Sequence, residues 1–218
     1  MQMISLHIGK TKNYTYQQKE YRSAIGKQPV PKLELTTEKI IGDEITDTKH
    51  HGGADRALCF YPYEHYAMWK KEFNREISIP AFGENITVAG MLEKDVCIGD
   101  IYEIGHAVVQ ISQGRIPCAT ISKYNKEDLF LKKVIDSCFT GYFARVLKEG
   151  TITLDSQIVL KERHPLEVDV LFANQVFFHR SHERRALERV LAVKELAPVM
   201  RENFMNKWKK SHPYESSI

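Results

Sequence analysis

Residues 107–118, Ala-Val-Val-Gln-Ile-Ser-Gln-Gly-Arg-Ile-Pro-Cys, read as a β-strand that runs out into a loop carrying a thiol. The segment from Val108 to Ser112 alternates and is rich in β-branched residues, which favour extended backbone. Gly114 interrupts the pattern, and Pro117 fixes the backbone one residue before Cys118. Arg115, three residues before the cysteine, favours the thiolate over the thiol, whose unperturbed pKa is about 8.5. A thiolate suits a soft metal. The competing reading is a small buried hydrophobe, the commoner state of a free cysteine.

On the N-terminal side of this stretch, short apolar segments alternate with breakers: 4–8, 14–21, 33–35 and 40–41 read as strands. The apolar run 57–61 follows, and Pro62 predicts the first position of a helix with Tyr66, Trp69 and Phe73 on a core-facing stripe. The spacing predicts two short strands around Gly99-Asp100. Asn125 is expected to cap a helix that places Leu131, Val134 and Ile135 on one face. Segments 142–147, 151–154 and 157–161, with Gly150 as a turn, close the β pattern. Beyond His164-Pro165 the period changes, and 168–178, 183–196 and 198–210 predict helices. The expected architecture is mainly β: a barrel over residues 1–163 and a small three-helix domain over 164–218. About 50 helical residues bury too little surface to be very stable alone, so they are expected to lean on the barrel.

Composition narrows the function classes. With 43% hydrophobic residues over 218 positions there is ample material for a packed core. No apolar run approaches the roughly 20 residues of a membrane span, and the N-terminus lacks a secretory pattern, so a cytoplasmic protein is expected. The four cysteines, at 59, 97, 118 and 138, include no Cys-x-x-Cys pair, which argues against structural zinc and a disulfide scaffold. Cys59, Cys97 and Cys138 sit in apolar settings. The net charge of +3 resides beyond residue 160, where eleven Lys and Arg face eight Asp and Glu. That is far from the dense basic footprint of a nucleic-acid binder.

Three further stretches carry candidate ligand groups. Lys27, in Ser23-Ala24-Ile25-Gly26-Lys27, and Arg56, after the glycine pair in His51-Gly52-Gly53-Ala54-Asp55-Arg56, suit an anion. Alternatively, Lys27 is a solvated loop residue and Arg56 pairs with Asp43, Asp47 or Asp55. Glu84 and Asn85, side by side at a strand entrance, can hydrogen-bond an amino-pyrimidinone edge or cap a turn. His179 and His182 fall at a helix end, where solvated histidines are common.

Taken in order, His51-Gly52-Gly53 with Arg56-Ala57, Phe82-Gly83-Glu84-Asn85, Gly99-Asp100 and Arg115-x-Pro-Cys118 resemble the MOSC family, and most closely its YiiM-type members with a C-terminal three-helix domain. The resemblance implies a β-barrel of the pyruvate-kinase barrel-domain type and a pocket for the molybdenum cofactor. It implies Cys118 as metal ligand, Lys27, Arg56 and Arg115 at the phosphate or pterin, and Glu84 and Asn85 at the pterin edge. The activity it implies is reduction of N-hydroxylated compounds, such as hydroxylamino-purines, to amines. Gly114 stands where the family usually has proline, which implies a looser loop.

Two other readings stand beside this one: a sulfur carrier using a Cys118 persulfide, and a non-catalytic binding module using the basic helices. No Gly-x-Gly-x-x-Gly lies between a strand and a helix, so electrons are expected from an external redox protein. Arg180, Arg184, Arg185 and Arg189 are the expected docking residues for an acidic carrier. Pyridoxal phosphate is not expected, since no stretch is left for its domain. A homodimer is left open.

Overall fold

The structure, a computed structural model, describes residues 1–46 and 52–212. Its strands are β1 (Gln2–Ile8), β2 (Lys12–Tyr16), β3 (Lys19–Ser23), β4 (Gln28–Pro29), β5 (Lys32–Leu35), β6 (Leu58–Pro62), β7 (Ile86–Ala89), β8 (Ile101–Ile104), β9 (Ala107–Gly114), β10 (Tyr142–Lys148), β11 (Gly150–Thr153) and β12 (Ile158–Glu162). Eight of them form one curled, half-barrel sheet in the order β12-β8-β9-β10-β6-β7-β1-β4. Neighbours run antiparallel except β6 and β7, which pair in parallel, with Phe60 opposite Ile86. Helix α1 (Glu64–Phe73) lies in the crossover that a parallel pair requires. The separate pair β5–β11, from Gly150 opposite Leu35 to Thr153 opposite Lys32, ties the first strands to the last.

Alternation decides which side chains enter the core. On β6, Leu58 and Phe60 join the main apolar cluster, while Tyr61 faces a second cluster with Tyr66, Trp69 and Phe82. A strand covered on both faces is buried throughout, and β6 is. The stripe Tyr66, Trp69, Phe73 does face inward from α1, but Pro62 ends β6 instead of opening the helix. A strand end tolerates its missing N–H.

Three other local expectations need correction. Residues 14–21 are not one strand but the hairpin β2–β3, turning at Gln17 and Gln18 with φ of 48° and 62°. Asn125 does not cap a following helix; it ends α2 (Thr120–Asn125), and its amide donates to the carbonyls of Ala81 (2.9 Å) and Ile121 (2.8 Å). Helix α3 (Phe130–Ser137) then starts on its own. Residues 96–100 form no strand beyond a single bridge from Cys97 to Asp169, because the buried Asp100 carboxylate takes the Cys97 N–H at 2.8 Å and turns the chain.

Asp100 also accepts from the Arg163 guanidinium (2.8 Å) and the His164 N–H (2.9 Å), fixing the point where the chain leaves the sheet. Helices α4 (Val170–Phe178), α5 (Arg184–Leu191) and α6 (Pro198–Ser211) follow, α4 capped by the Asp169 carboxylate on the Phe172 N–H (2.7 Å). Val170, Leu187, Phe204 and Trp208 belong to the same apolar cluster as Leu58, Val109 and Ala144 of the sheet. The helices therefore share the sheet's core.

His7 of β1 is 2% exposed, and burial, helped by the nearby Lys27 charge, lowers its pKa to about 4. Because the folded state holds this histidine neutral, its contribution to stability is complete above about pH 6.5 and is lost as pH falls towards 4. In urea titrations across that window, His7→Phe is expected to lose less stability than the parent chain. Identical pH slopes would contradict the assignment.

Candidate functional site

A cleft of about 280 Å³ opens where the β3–β4 connection, the loop after β5, strand β6 and the loop after β9 meet. Lys27, Arg56, Asn85, Arg115 and Cys118 all line it, together with Asp43 and Cys59. Cys118 follows Pro117 in the loop after β9, and its carbonyl accepts the Ile121 N–H at 3.2 Å to start α2. It is partly exposed, whereas Cys59, Cys97 and Cys138 are buried as their apolar settings predict.

Arg115 leaves the same loop with its N–H on the Gly141 carbonyl (3.0 Å). Its guanidinium bonds the Phe82 carbonyl and lies 4.0 Å from the Cys59 sulfur. Burial pushes the Cys59 thiol up to about 11, against the pull of Arg115, so this second sulfur of the cleft stays protonated at neutral pH. Arg56 reaches the cleft from a different loop. It ends a 3₁₀ turn, Ala54–Arg56, that starts behind Gly53, and its Nε reaches the Gln113 carboxamide at 3.5 Å. Burial lowers its pKa, yet a guanidinium keeps its charge at any ordinary pH. His51 lies outside the described residues.

Lys27 is not the solvated loop residue that composition favours. Its ammonium sits on the Asp43 carboxylate at 2.5 and 2.6 Å, with both side chains under 10% exposed. Asp43 also accepts from the Gly9 N–H (2.6 Å) and the Asn85 amide (3.0 Å). The Lys27 charge is thus compensated inside the wall. Asn85 is equally committed: its oxygen accepts the Cys59 N–H (3.2 Å) and its nitrogen also donates to the His7 carbonyl (3.2 Å).

Glu84 is carried away from the cleft. Fully buried, it accepts from the Tyr66 hydroxyl (2.5 Å), the Thr87 hydroxyl (3.0 Å) and the Phe82 N–H (3.1 Å). The expected joint edge of Glu84 and Asn85 therefore does not form. Successive side chains of an extended chain point to opposite sides, and that period of two was the signal available in the sequence. Gly83 sets up the divergence at φ 69°, where a Cβ would also come within 3.1 Å of Ile25. Asp43, one of the partners expected for Arg56, pairs with Lys27 across 16 residues, and Cys59 reads in the sequence as a plain core position.

His179 Nε2 faces the Ile135 carbonyl at 3.0 Å, and among the described residues no group of three or more His, Cys, Asp and Glu side chains is gathered to hold a metal. Arg180 pairs with Glu183 (2.7 Å) and Arg184 with Glu188 (2.9 Å), so two of the four arginines expected to dock a carrier meet a carboxylate of the same C-terminal unit. No helix among the described residues is long and apolar enough to cross a membrane.

The chain is 37% identical to YflK of Bacillus subtilis (strain 168) over 98% of this chain and 97% of that protein. A protein of Gibberella moniliformis named "Reductase" is 35% identical over 65% of this chain, which spans 26% of the fungal protein. The crystal structure of YiiM from Geobacillus stearothermophilus superposes with a TM-score of 0.80 at 31% identity, covering 95% of this chain and 98% of that one. Residues 47–159 match the model of the MOSC domain, and residues 170–207 that of the YiiM-like 3-alpha helix domain. With a thiol-bearing loop and an arginine-bearing turn meeting over a half-barrel, and a three-helix unit sharing its core, the chain belongs to the MOSC family.

Proposed function

We propose that this cleft holds a molybdenum cofactor and that the protein reduces N-hydroxylated compounds to the corresponding amines with electrons from an external donor. The observation that carries the reading is one partly exposed thiol, Cys118, in the same cleft as Arg56 and Arg115. The donor set fits the group: a soft sulfur for the metal and forked guanidinium groups for an anionic phosphate. MOSC membership and the fungal relative named a reductase support an oxidoreductase.

When bound, the cofactor supplies the two-electron chemistry. Overall, an N-hydroxylated nitrogen takes up two electrons and two protons, the N–O bond breaks, and the products are the amine and water. The chain's own part is placement. Cys118 is the thiolate ligand and Arg56 the anion grip. Arg115 spans from the cleft to the Phe82 carbonyl, holding that wall fixed. Lys27 and Asn85, both bonded to Asp43, belong to the wall of the cleft, so they orient the ligand more than they neutralise it. We place the boundary between barrel and helical domain at residues 163 and 164, both of which bond Asp100.

The test is metal and pterin analysis of protein from a molybdate-fed host that makes the cofactor, followed by turnover of a hydroxylamino-purine with a reduced dye. Bound molybdenum and amine formation support the reading; a persulfide on Cys118 without molybdenum would replace it with sulfur transfer. Arg56→Lys is expected to lower cofactor occupancy after dialysis by about tenfold, since an ammonium cannot form the two-pronged grip. Unchanged occupancy would remove Arg56 from the anion site.

A further inference from the structure

We propose that the C-terminal helices set the geometry of the cleft, and that Asn174 of α4 is a positioning residue for the Arg115–Cys118 loop. The inference rests on reading that loop as the working part of the cleft. Asn174 is 1% exposed and sits among Val170, Ala173, Val176 and Phe177, which face the shared core. Its amide nitrogen donates to the Cys138 carbonyl and to the Thr140 hydroxyl, both at 3.0 Å. The Thr140 hydroxyl donates to the Gly141 carbonyl (3.0 Å), and that carbonyl accepts the Arg115 N–H (3.0 Å). A continuous hydrogen-bond relay thus runs from the helical unit to the residue that opens the thiol loop.

The other end of the Asn174 amide makes the link steric. Gly114, paired with Tyr142 at the end of β9, faces it so closely that a Cβ there would lie 2.0 Å from Asn174 Oδ1. The looser loop expected from a glycine at this position is therefore not what the packing gives. The glycine makes room for a side chain from another part of the fold, which then confines it. Asn174 Oδ1 has no hydrogen-bond partner among the described residues. An orphaned buried oxygen destabilises the fold, so stability alone does not account for an amide on this apolar helix face. Its directional hold on the 138–141 turn does.

The same helical unit reaches the second arm of the cleft. Arg145 of β10 bonds the Glu195 carbonyl (2.8 Å), the Gln110 carboxamide (2.8 Å) and the carboxylate of Asp55 (2.6 Å), the neighbour of Arg56. The Ala197 N–H donates to the Ser112 carbonyl (3.0 Å), and the Ser112 hydroxyl donates to the Asp55 carbonyl (2.5 Å). Both cleft arms are referenced to the helices.

The experiment reads the alkylation rate of Cys118 by iodoacetamide in the full-length, cofactor-free chain, by peptide mass spectrometry, well below each variant's melting temperature. Asn174→Ala is expected to change that rate by at least about threefold, and Thr140→Val, which breaks the relay at its next link, in the same direction. Met200→Ala, a truncation in the helical core that removes none of the relay's hydrogen bonds, should lower the melting temperature and leave the rate unchanged. Gly114→Ala should perturb the rate more in the parent than in the Asn174→Ala background, where the opposing oxygen is gone. An unchanged rate in Asn174→Ala, or an equal change in Met200→Ala, overturns the proposal. Should Asn174→Ala fail to fold, Thr140→Val decides. Alkylation needs no cofactor, so a failure here is distinct from a failure of the molybdenum reading, which metal analysis alone decides.

Discussion

Cys118→Ala is expected to fold with nearly the parent's stability while retaining neither molybdenum nor reductase activity. The side chain is partly exposed at a loop, outside both apolar clusters, so its loss removes little packing; surface changes of this kind stay within about 0.5 kcal/mol. On the proposed reading it is the soft ligand of the metal, and it has no substitute. The other cleft sulfur, Cys59, is buried and held protonated by desolvation, so it cannot take over as a thiolate. Metal content per chain should fall more than about tenfold below that of the parent purified in parallel, with turnover falling at least as far. A variant that kept its molybdenum and its rate would end the ligand assignment, whatever its melting temperature.

What the sequence reveals about this site depends on how local each feature is. Strand β9 and its thiol loop are readable because β-branched alternation, a glycine and a proline all act within a dozen residues. The three C-terminal helices are readable for the same reason, through their apolar periodicity and the Pro198 start of α6. The Lys27–Asp43 pair, the route from Asn174 to Arg115 and the Arg145 hub join residues brought together by sheet order, and no spacing rule connects them. The hairpin β2–β3 was obscured differently. Its turn uses two glutamines in left-handed conformations, where asparagine or glycine would have announced it. Glu84 is the instructive case, because the strand period of two by itself separates it from Asn85.

Glu84→Ala is accordingly expected to strike the fold first and the site second. Its carboxylate satisfies the Tyr66 hydroxyl, the Thr87 hydroxyl and the Phe82 N–H in a fully buried position, so truncation leaves buried donors unpaired. At about 1 kcal/mol or more for each, the loss is about 3 kcal/mol or more. For a chain of this size that lowers the melting temperature by about 6–12 °C. Burial raises the Glu84 pKa above its usual value, with the Tyr66 hydrogen bond pulling the other way. The folded state therefore binds this proton more readily than the unfolded one, so the contribution is fully present below the unfolded value near 4.3 and declines as pH rises through the folded pKa. That sign is opposite to the sign for His7. Glu84→Gln, which cannot ionise, should lack this decline in urea titrations from acidic to neutral pH; a profile parallel to the parent's would sink the assignment. The link to the cleft is the backbone of Phe82, whose N–H is held by Glu84 while its carbonyl holds Arg115. Under conditions where Glu84→Ala is still folded, cofactor occupancy should fall with the loosened arginine, and full occupancy would show that Arg115 keeps its place without this support.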